Sequence, residues 1–404
     1  MHSVIVDTNA FIDGLDPCDY EKVYLIATTT EELDNLKRNR NELLARSAKD
    51  AIKRISKAYD EGKIIFREKF TCSFPLDLTI PDNRILAFAK EICAFDGDAV
   101  LVSADHNVIL KAKCLNIPCE YYQASEACQR LYDGYKEISL SDDEMASFYE
   151  SKENKWNLNE NEYLILRNAE GTLVDKLRWT KKGFVSIYKK NLDSIALGRF
   201  KPKDVYQECA VDSLVNTEFS ILTGPAGSAK TLSALSYIMQ ELQSGNRISC
   251  KIIFSTAPLR NNRDVGFLPG SRNDKLLGGS LGGILSSKLG GMLQVEQLIA
   301  QGKLVLVPSA DIRGMEVNEN DVLFITEAQN MDAYTMKTAL QRVKDGTKVI
   351  VEGDIEEQVD MLHCEGRLNG MMRAIKRFAG TRVFSCVRLV NIYRGEIANI
   401  AQNM

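Results

Sequence analysis

The 404-residue chain is poor in the residues that build metal cages and stapled folds. It has only three histidines, His2, His106 and His363, at no spacing that would aim two of them at one ion. Its ten cysteines stand apart at 18, 72, 93, 114, 119, 128, 209, 250, 364 and 386, with no C-x-x-C pair. That scatter argues against structural zinc or a disulfide framework and for reduced thiols. Nine prolines and 45% hydrophobic residues exclude a disordered or low-complexity chain. No segment offers the roughly 18 apolar residues that cross a bilayer, and the start, MHSVIVDTNAF, lacks the basic head of a secretory signal. A soluble cytoplasmic protein without membrane contact is the expectation. Positive charge is not in excess either: Lys+Arg 51 against Asp+Glu 55 gives a net charge of −4. Any nucleic-acid contact must therefore come from local clusters.

The length suggests two domains and a connector. Residues 1–135 alternate short strands and helices: a β-branched run at Ser3–Val6, helical sequence from Glu31 to about Tyr59, and a helix after Pro81-Asp82-Asn83. In that last helix Ile85, Phe88, Ala89 and Ile92 share one face at i, i+3, i+4, i+7 spacing. A strand at Ala99–Ser103 and a helix at Val108–Cys114 follow. This order predicts an α/β fold with a parallel sheet flanked by helices. Residues 136–203 read as a small β-rich module built on EYLILR and GFVSIYKK. From 204 to 404 the α/β rhythm returns, with strands at FSILTG, KIIFST, KLVLVP, DVLFIT and KVIVEG. The triplet Leu-Gly-Gly occurs at 277, 281 and 289. Glycine weakens helix and strand alike, so a mobile loop is expected there, functional or simply a solvated linker.

Gly224-Pro225-Ala226-Gly227-Ser228-Ala229-Lys230-Thr231 follows a strand and opens the helix TLSALSYIMQEL. This is the setting of a P-loop, in which backbone N–H groups and a helix N-terminus cradle phosphate. Lys230 reaches the β- and γ-phosphates and the Thr231 hydroxyl ligates Mg²⁺. Ala229 stands where the consensus has glycine, and its Cβ narrows the approach. The strand Asp321–Ile325 ends at Thr326-Glu327-Ala328-Gln329-Asn330, with Thr326 where a Walker B aspartate normally holds Mg²⁺. A hydroxyl is the poorer partner, so hydrolysis is less secure than binding. Glu327 keeps the place of the residue that orients the attacking water. Glu352-Gly353-Asp354, at the end of another strand, is a place for a γ-phosphate sensor.

Four acids of the first half fall at strand ends or helix starts: Asp7, Glu32, Asp82 and Asp105. The carboxyl ends of parallel strands share one crevice, where these acids would converge. Clustered carboxylates need cations, and an all-oxygen set favours Mg²⁺ or Mn²⁺, which suits phosphodiester cleavage. Taken singly, each reads more simply as a helix cap or a surface charge.

Together these residues resemble a PIN ribonuclease domain fused to a PhoH-type ATPase. The PIN resemblance rests on Val6-Asp7-Thr8-Asn9, Glu31-Glu32-Leu33-Asp34, Pro81-Asp82-Asn83-Arg84-Ile85-Leu86 and Val102-Ser103-Ala104-Asp105-His106-Asn107. It implies metal-binding roles for Asp7, Glu32, Asp82 and Asp105, with Thr8 and Asn9 supporting the first. The PhoH resemblance rests on Gln207 upstream of the P-loop, Gly266–Gly270 (GFLPG), Arg313-Gly314, Glu327-Ala328-Gln329-Asn330, Gly353-Asp354 and the closing Arg394-Gly395-Glu396-Ile397-Ala398. Together the two resemblances cover nearly the whole chain. Departures are Ala229, Thr326, Thr256-Ala257-Pro258 in place of Thr-Arg-Pro, and one extra residue before Gln358-Val359-Asp360. The resemblance implies a RecA-like P-loop core that binds ATP and assembles as a homo-oligomeric ring. Arg394 would then serve as an arginine finger in a neighbouring site, or equally pair with an acid in a closing helix.

Single-stranded RNA is the expected partner. Arg178, Lys181, Lys182, Lys189, Lys190, Arg199, Lys201 and Lys203 interleave with Trp179, Phe184, Tyr188 and Phe200. Such a mixture grips unpaired bases and phosphates, or is a hairpin with a solvated lysine face and an aromatic core face. Arg260, Arg263, Arg272 and Lys275 form a second basic group around GFLPG. The function expected is an ATP-dependent RNA-processing enzyme, a metal-dependent ribonuclease coupled to a helicase-like ATPase. Two alternatives stand beside it. One is a nucleotide-gated RNA-binding switch with a decayed ATPase; the other is an ATPase whose PIN fold is only an interaction module.

Overall fold

A computed structural model describes residues 3–39, 42–122, 132–255, 277, 280–355, 364 and 369–393. The chain divides into two compact units, residues 1–130 and 131–404, and each is described by itself.

The first unit is a five-stranded parallel sheet in the order β3-β2-β1-β4-β5. Its strands are β1 (Ser3–Val6), β2 (Lys22–Ile26), β3 (Ile64–Arg67), β4 (Val100–Ser103) and β5 (Cys119–Tyr121). Both faces are covered, as an all-parallel sheet requires. Val4, Val6, Val23 and Leu25 meet Phe11, Leu33 and Ala51 on one side. Ile5, Tyr24, Ile26 and Leu101 meet Ile85, Phe88 and Ile92 on the other. The helices are α1 (Thr8–Ile12), α2 (Ala27–Leu36), α3 (Glu42–Asp60), α4 (Pro81–Phe95) and α5 (His106–Cys114). The expected helix from Glu31 to Tyr59 is thus two helices, and α2 begins earlier, at Ala27. Strands β2, β3 and β5 add to the two expected from sequence. Val23-Tyr24-Leu25-Ile26 and Ile64-Ile65-Phe66 are short apolar runs beside helical sequence, a pattern that periodicity cannot separate from buried helix.

The second unit opens with the β-rich segment, which is more than a hairpin. Strands β6 (Tyr135–Ser139), β7 (Tyr163–Arg167), β8 (Leu173–Thr180) and β9 (Gly183–Ser186) form a sheet in sequence order, with helix α6 (Asp142–Ser151) between the first two. β6 and β7 are parallel and the rest antiparallel. A small ribbon, β10 (Leu192–Ser194) with β11 (Gly198–Phe200), follows.

The remainder is a six-stranded parallel sheet in the order β14-β13-β15-β16-β12-β17. Its strands are β12 (Phe219–Thr223), β13 (Ser249–Phe254), β14 (Leu304–Val307), β15 (Asp321–Thr326), β16 (Lys348–Gly353) and β17 (Phe384–Arg388). The chain enters it through helix α7 (Val205–Asn216), and helix α8 (Lys230–Ser244) follows β12. Alternate residues feed two cores: Leu222, Ile252, Phe324 and Ile350 pack on α7 and α8, while Ile221, Ile253, Ile325 and Val351 face the other layer.

The β-rich segment closes the β17 edge of this sheet. Arg388 N–H donates to Asp133 O at 3.0 Å, and Asn161 Nδ2 donates to Arg382 O at 2.8 Å and Phe384 O at 3.1 Å. At Gly134 a Cβ would stand 1.7 Å from Cys386 O, so only glycine fits there.

The glycine-rich stretch departs from the mobile-loop expectation. Helix Ser280–Lys288 runs through the second Leu-Gly-Gly triplet. Leu277, Leu281, Leu285 and Leu289, spaced by four, are all buried in the core. The apolar stripe outweighs the poor helix propensity of Gly282 and Gly283. The third triplet ends the helix, with Gly290 and Gly291 at φ +82° and +122°. Among the described residues no helix is long and apolar enough to cross a membrane, and the nine described cysteines are unpaired with one another.

Candidate active sites

In the first unit the strand order changes direction between β1 and β4, the place where a parallel sheet opens a crevice at its carboxyl end. Asp7 sits there, nearly fully buried. Its Oδ1 accepts from Thr8 N–H and its Oδ2 from Ser103 Oγ, each at 2.7 Å. Burial pushes the Asp7 carboxyl up to about 6, with the negative charges of Asp82 and Glu32 adding to the effect and the two hydrogen bonds opposing it. Glu32, on the second turn of α2 and not at its start, accepts a short hydrogen bond from Thr8 Oγ1. Its carboxyl is raised too, chiefly by burial, with Asp82 contributing. Asp82 stands in the first turn of α4. Thr8 is buried and Asn9 exposed.

Three of the four expected acids are therefore within electrostatic reach of one another. Asp105 behaves differently: it N-caps α5, accepting from Asn107 N–H at 2.7 Å, and is tied to the group only through Ser103 Oγ, which accepts its N–H at 3.0 Å. Among the described residues no three His, Cys, Asp or Glu side chains form a metal-ligating cluster. Capping does not by itself set Asp105 apart, since Asp7 N-caps α1 in the same way; Asp7 is buried and Asp105 half-buried.

In the second unit the P-loop links β12 to α8 at the carboxyl edge of the sheet. Gly224 is at φ +126° and a Cβ there would lie 2.0 Å from Leu389 O, which makes glycine obligatory. Gly227 and Ala229 are also left-handed, at φ +91° and +76°. The turn that the consensus glycine makes freely is made here by alanine under strain of about 1–2 kcal/mol. Lys230, buried, donates from Nζ to the loop carbonyls of Gly224 and Pro225, the latter at 2.9 Å. Ser228 Oγ donates to Pro225 O at 2.9 Å and braces the loop from below. Gln207 is buried and braces it further, donating from Nε2 to Ser228 O at 3.2 Å and accepting Lys203 N–H at 2.9 Å.

Gln207, Gly227, Ala229 and Lys230 border a cavity of about 790 Å³ that Ala226, Glu327, Glu352 and Asp354 also line. Glu327 adopts φ +55° and its Oε2 accepts from Gln329 Nε2 at 2.6 Å. Non-glycine residues in that conformation concentrate at functional sites. Gln329 Oε1 in turn accepts from Asp354 N–H at 3.2 Å, an approach that requires Gly353, where a Cβ would come within 2.5 Å of that oxygen.

Glu352 is the residue whose role sequence reasoning missed. It is fully buried at the end of β16, and its Oε1 accepts both from Thr231 Oγ1 at 3.2 Å and, through a short bond, from Thr326 Oγ1. Burial raises its carboxyl, while the nearby Lys230 charge and the two threonine hydroxyls pull it down. A signal is present in the sequence, since an acid at a strand's end beside a P-loop strand is unusual in so apolar a run. Its pairing with Thr326 across the ladder is not readable without the strand order.

The RNA-binding cluster is partly dissolved by the structure. Arg178 is mostly buried, its Nε 2.9 Å from Asp212 and its NH1 donating to Asn161 at 2.9 Å. Trp179 and Phe184 pack edge to face, at 4.8 Å between rings, on a core of Phe148, Leu164 and Leu177. Phe200 is buried as well. The aromatic-core reading holds for these residues. Lys181, Lys182, Lys189, Lys190 and Tyr188 remain exposed, while Arg199, Lys201 and Lys203 border the P-loop cavity. Arg313 is exposed against Tyr334. Arg394, the GFLPG segment with Arg260, Arg263, Arg272 and Lys275, Thr256-Ala257-Pro258, and Gln358-Val359-Asp360 lie outside the described residues.

An acid-lined parallel sheet followed by a P-loop sheet defines a two-part chain of the PIN-plus-ATPase class, and comparison with known proteins agrees. The PIN domain family model matches residues 4–123, and that of the PhoH-like protein family matches residues 199–403. The chain belongs to the PhoH-like family, with a PIN domain preceding the PhoH part. It is 24% identical to "Protein PhoH2" of Bacillus subtilis (strain 168), over 99% of this chain and 99% of that protein. It is 23% identical to "Protein PhoH2" of Mycolicibacterium smegmatis, over 80% of this chain and 74% of that one. Among solved structures, the Pif1 helicase from Candida albicans aligns over 50% of this chain and 43% of that chain, at 14% identity and a TM-score of 0.29. Both family assignments point to hydrolase activity.

Proposed function

We propose that the chain is an ATP-dependent RNA-processing enzyme. Its first unit cleaves RNA phosphodiesters with Mg²⁺ or Mn²⁺, and its second binds and hydrolyses ATP to feed or remodel the strand. The observation that carries the nuclease reading is Asp7, a buried carboxylate whose charge is opposed by Glu32 and Asp82. Such a group is costly unless a cation relieves it. Asp7, Glu32 and Asp82 offer oxygen ligands of the kind a hard divalent ion takes, and they would have to draw together to hold one, which would activate water and stabilise the leaving oxygen. Thr8 and Ser103 hold Asp7 and Glu32 in place through their hydroxyls. A nuclease assay on single-stranded RNA with Asp7→Asn tests this. Loss of metal-dependent cleavage by more than the roughly 100-fold upper range of outer-shell substitutions is expected; unchanged cleavage would overturn the assignment.

In the second unit the P-loop N–H groups and the start of α8 cradle the phosphates, and Lys230 pairs with them once it leaves the loop carbonyls. Thr231 fits Mg²⁺, and Glu327 orients the attacking water. The nucleotide-gated switch draws its support from Thr326 and the strained Ala229. Phosphate release measured for the wild type and Lys230→Ala separates the two readings: robust, lysine-dependent turnover excludes the switch. Assembly as a ring, with Arg394 reaching a neighbouring site, belongs to the same proposal and is tested by sedimentation with and without ATP.

A further inference from the structure

Glu352 occupies a place that neither the P-loop nor the Walker B position accounts for. Parallel register sets Leu222 of β12 beside Glu352 of β16, and Ile325 of β15 beside Val351. Glu352 therefore ends the strand that lies between the P-loop strand and the Walker B strand. Its single oxygen Oε1 gathers Thr231 Oγ1 at 3.2 Å from one side and Thr326 Oγ1 from the other. Thr231 is the P-loop residue whose hydroxyl meets Mg²⁺ in such sites, and an acid from the Walker B strand normally completes that arrangement. Here the Walker B strand ends in a hydroxyl, and the carboxylate comes from the neighbouring strand. A glutamate is one methylene longer than aspartate, which lets it reach toward Thr231 from the adjacent strand. Both glutamate and threonine offer oxygen ligands of the kind a Mg²⁺ ion takes directly or through water. A purely structural acid at this depth would be expected to hold a strong cationic or amide partner of its own. Glu352 accepts from two threonine hydroxyls, the nearby Lys230 donating to the loop carbonyls of Gly224 and Pro225, and it lines the cavity with Asp354.

We propose that Glu352 has taken over the Mg²⁺-holding role of the missing Walker B aspartate, so that the acid has moved by one strand and the ATP site is complete. The proposal rests on the ATP-binding reading above. Fluorescent mant-ATP is titrated into the full-length chain in Mg²⁺ and again in EDTA. Wild type binds in both and gains affinity with Mg²⁺. Glu352→Gln keeps the EDTA affinity within about twofold and loses at least about tenfold of the Mg²⁺ gain, the scale of lost metal-ligand support. The exchange Thr326→Asp with Glu352→Thr returns the acid to the Walker B strand and restores the gain. Mn²⁺ electron paramagnetic resonance in the presence of ADP reads the same loss and recovery directly on the ion. A Mg²⁺ gain that survives in Glu352→Gln overturns the proposal. So does a gain that the exchange variant fails to restore, which would mean that Glu352 matters only for packing. If Glu352→Gln does not fold, the exchange variant alone decides by the same criterion. Wild type that binds no mant-ATP in either buffer overturns the ATP-binding reading and this proposal with it.

Discussion

The two candidate sites both bury negative charge at a cost, and they differ in how near a relieving cation stands. Around Asp7, three carboxylates repel one another; hydroxyls and a backbone N–H oppose the burial, and the Arg84 charge acts on Glu32. Around Glu352, Glu327 is the repelling neighbour, while the Lys230 charge and two threonine hydroxyls oppose the burial. The first arrangement stores unfavourable energy that an ion or a proton must relieve. The second is strained as well, since burial and Glu327 still hold the Glu352 carboxyl above its ordinary value, but Lys230 supplies part of the relief. One chain thus carries, in its first unit, a site that waits on a cation and, in its second, a site with a lysine of its own.

The comparison breaks most sharply at the P-loop lysine. Lys230→Ala should abolish measurable mant-ATP binding, a loss of at least about 100-fold, since it removes the charge that pairs with the β- and γ-phosphates; unaltered binding in a fluorescence titration would contradict the site.

The next effect is on stability and pH. Asp7 has a folded-state value of about 6 against an ordinary 3.8. A raised carboxylate favours the folded state fully only below the ordinary value, and that advantage is lost as pH rises through about 6. At pH 7 the ionised group then costs on the order of 3 kcal/mol without metal, since each tenfold change in acidity is worth about 1.4 kcal/mol. Asp7→Asn should therefore melt higher than wild type at about pH 7.5 in EDTA, with the gap closing by about pH 4. Calorimetry that shows a pH-independent gap would remove the charge-repulsion account. Added Mn²⁺ should raise the wild-type melting temperature and leave the variant unmoved.

A comparable loss is expected at Arg178, whose guanidinium meets Asp212 out of most solvent. Arg178→Ala strands Asp212 and should cost about 3 kcal/mol in urea denaturation, while Lys182→Ala, on the exposed turn, should cost almost nothing. If RNA affinity falls equally in both variants, the core assignment of Arg178 is incomplete. The smallest effect concerns Ala229. Glycine there removes left-handed strain of about 1–2 kcal/mol but adds about 0.5–1 kcal/mol of unfolded-state freedom. Ala229→Gly should stabilise the second unit by about 0.5–1 kcal/mol in the same urea series.

Much of this is legible in the sequence. The P-loop, its strand and its helix are local features, and β12, β13, β14, β15 and β16 announce themselves as apolar runs bounded by turns. Asp7, Glu32 and Asp82 can be named because strand ends in a parallel sheet share an edge. Asp105 is harder to place, because a helix cap and a metal ligand use the same side chain at the same kind of position, as Asp7 does at α1. The leucines at 277, 281, 285 and 289 form a helical stripe that the intervening glycines conceal. Trp179 and Phe184 read as a stacking platform until α6 supplies Phe148 to cover them. Glu352 is hidden for a different reason: its role depends on which strand lies beside β12, and strand order is the one property that local sequence does not encode.

The closure of β17 by Asn161, Gly134 and Asp133 has a consequence for where the ATPase half begins as a heritable piece. An open sheet edge invites a second chain to pair with it, and here that liability is answered by residues some 220 positions earlier in the chain. A lineage that kept the P-loop sheet but shed residues 132–203 would inherit an adhesive border. The β-rich segment is thus less a tether between two activities than the selvedge of the second, sewn on before the cloth begins.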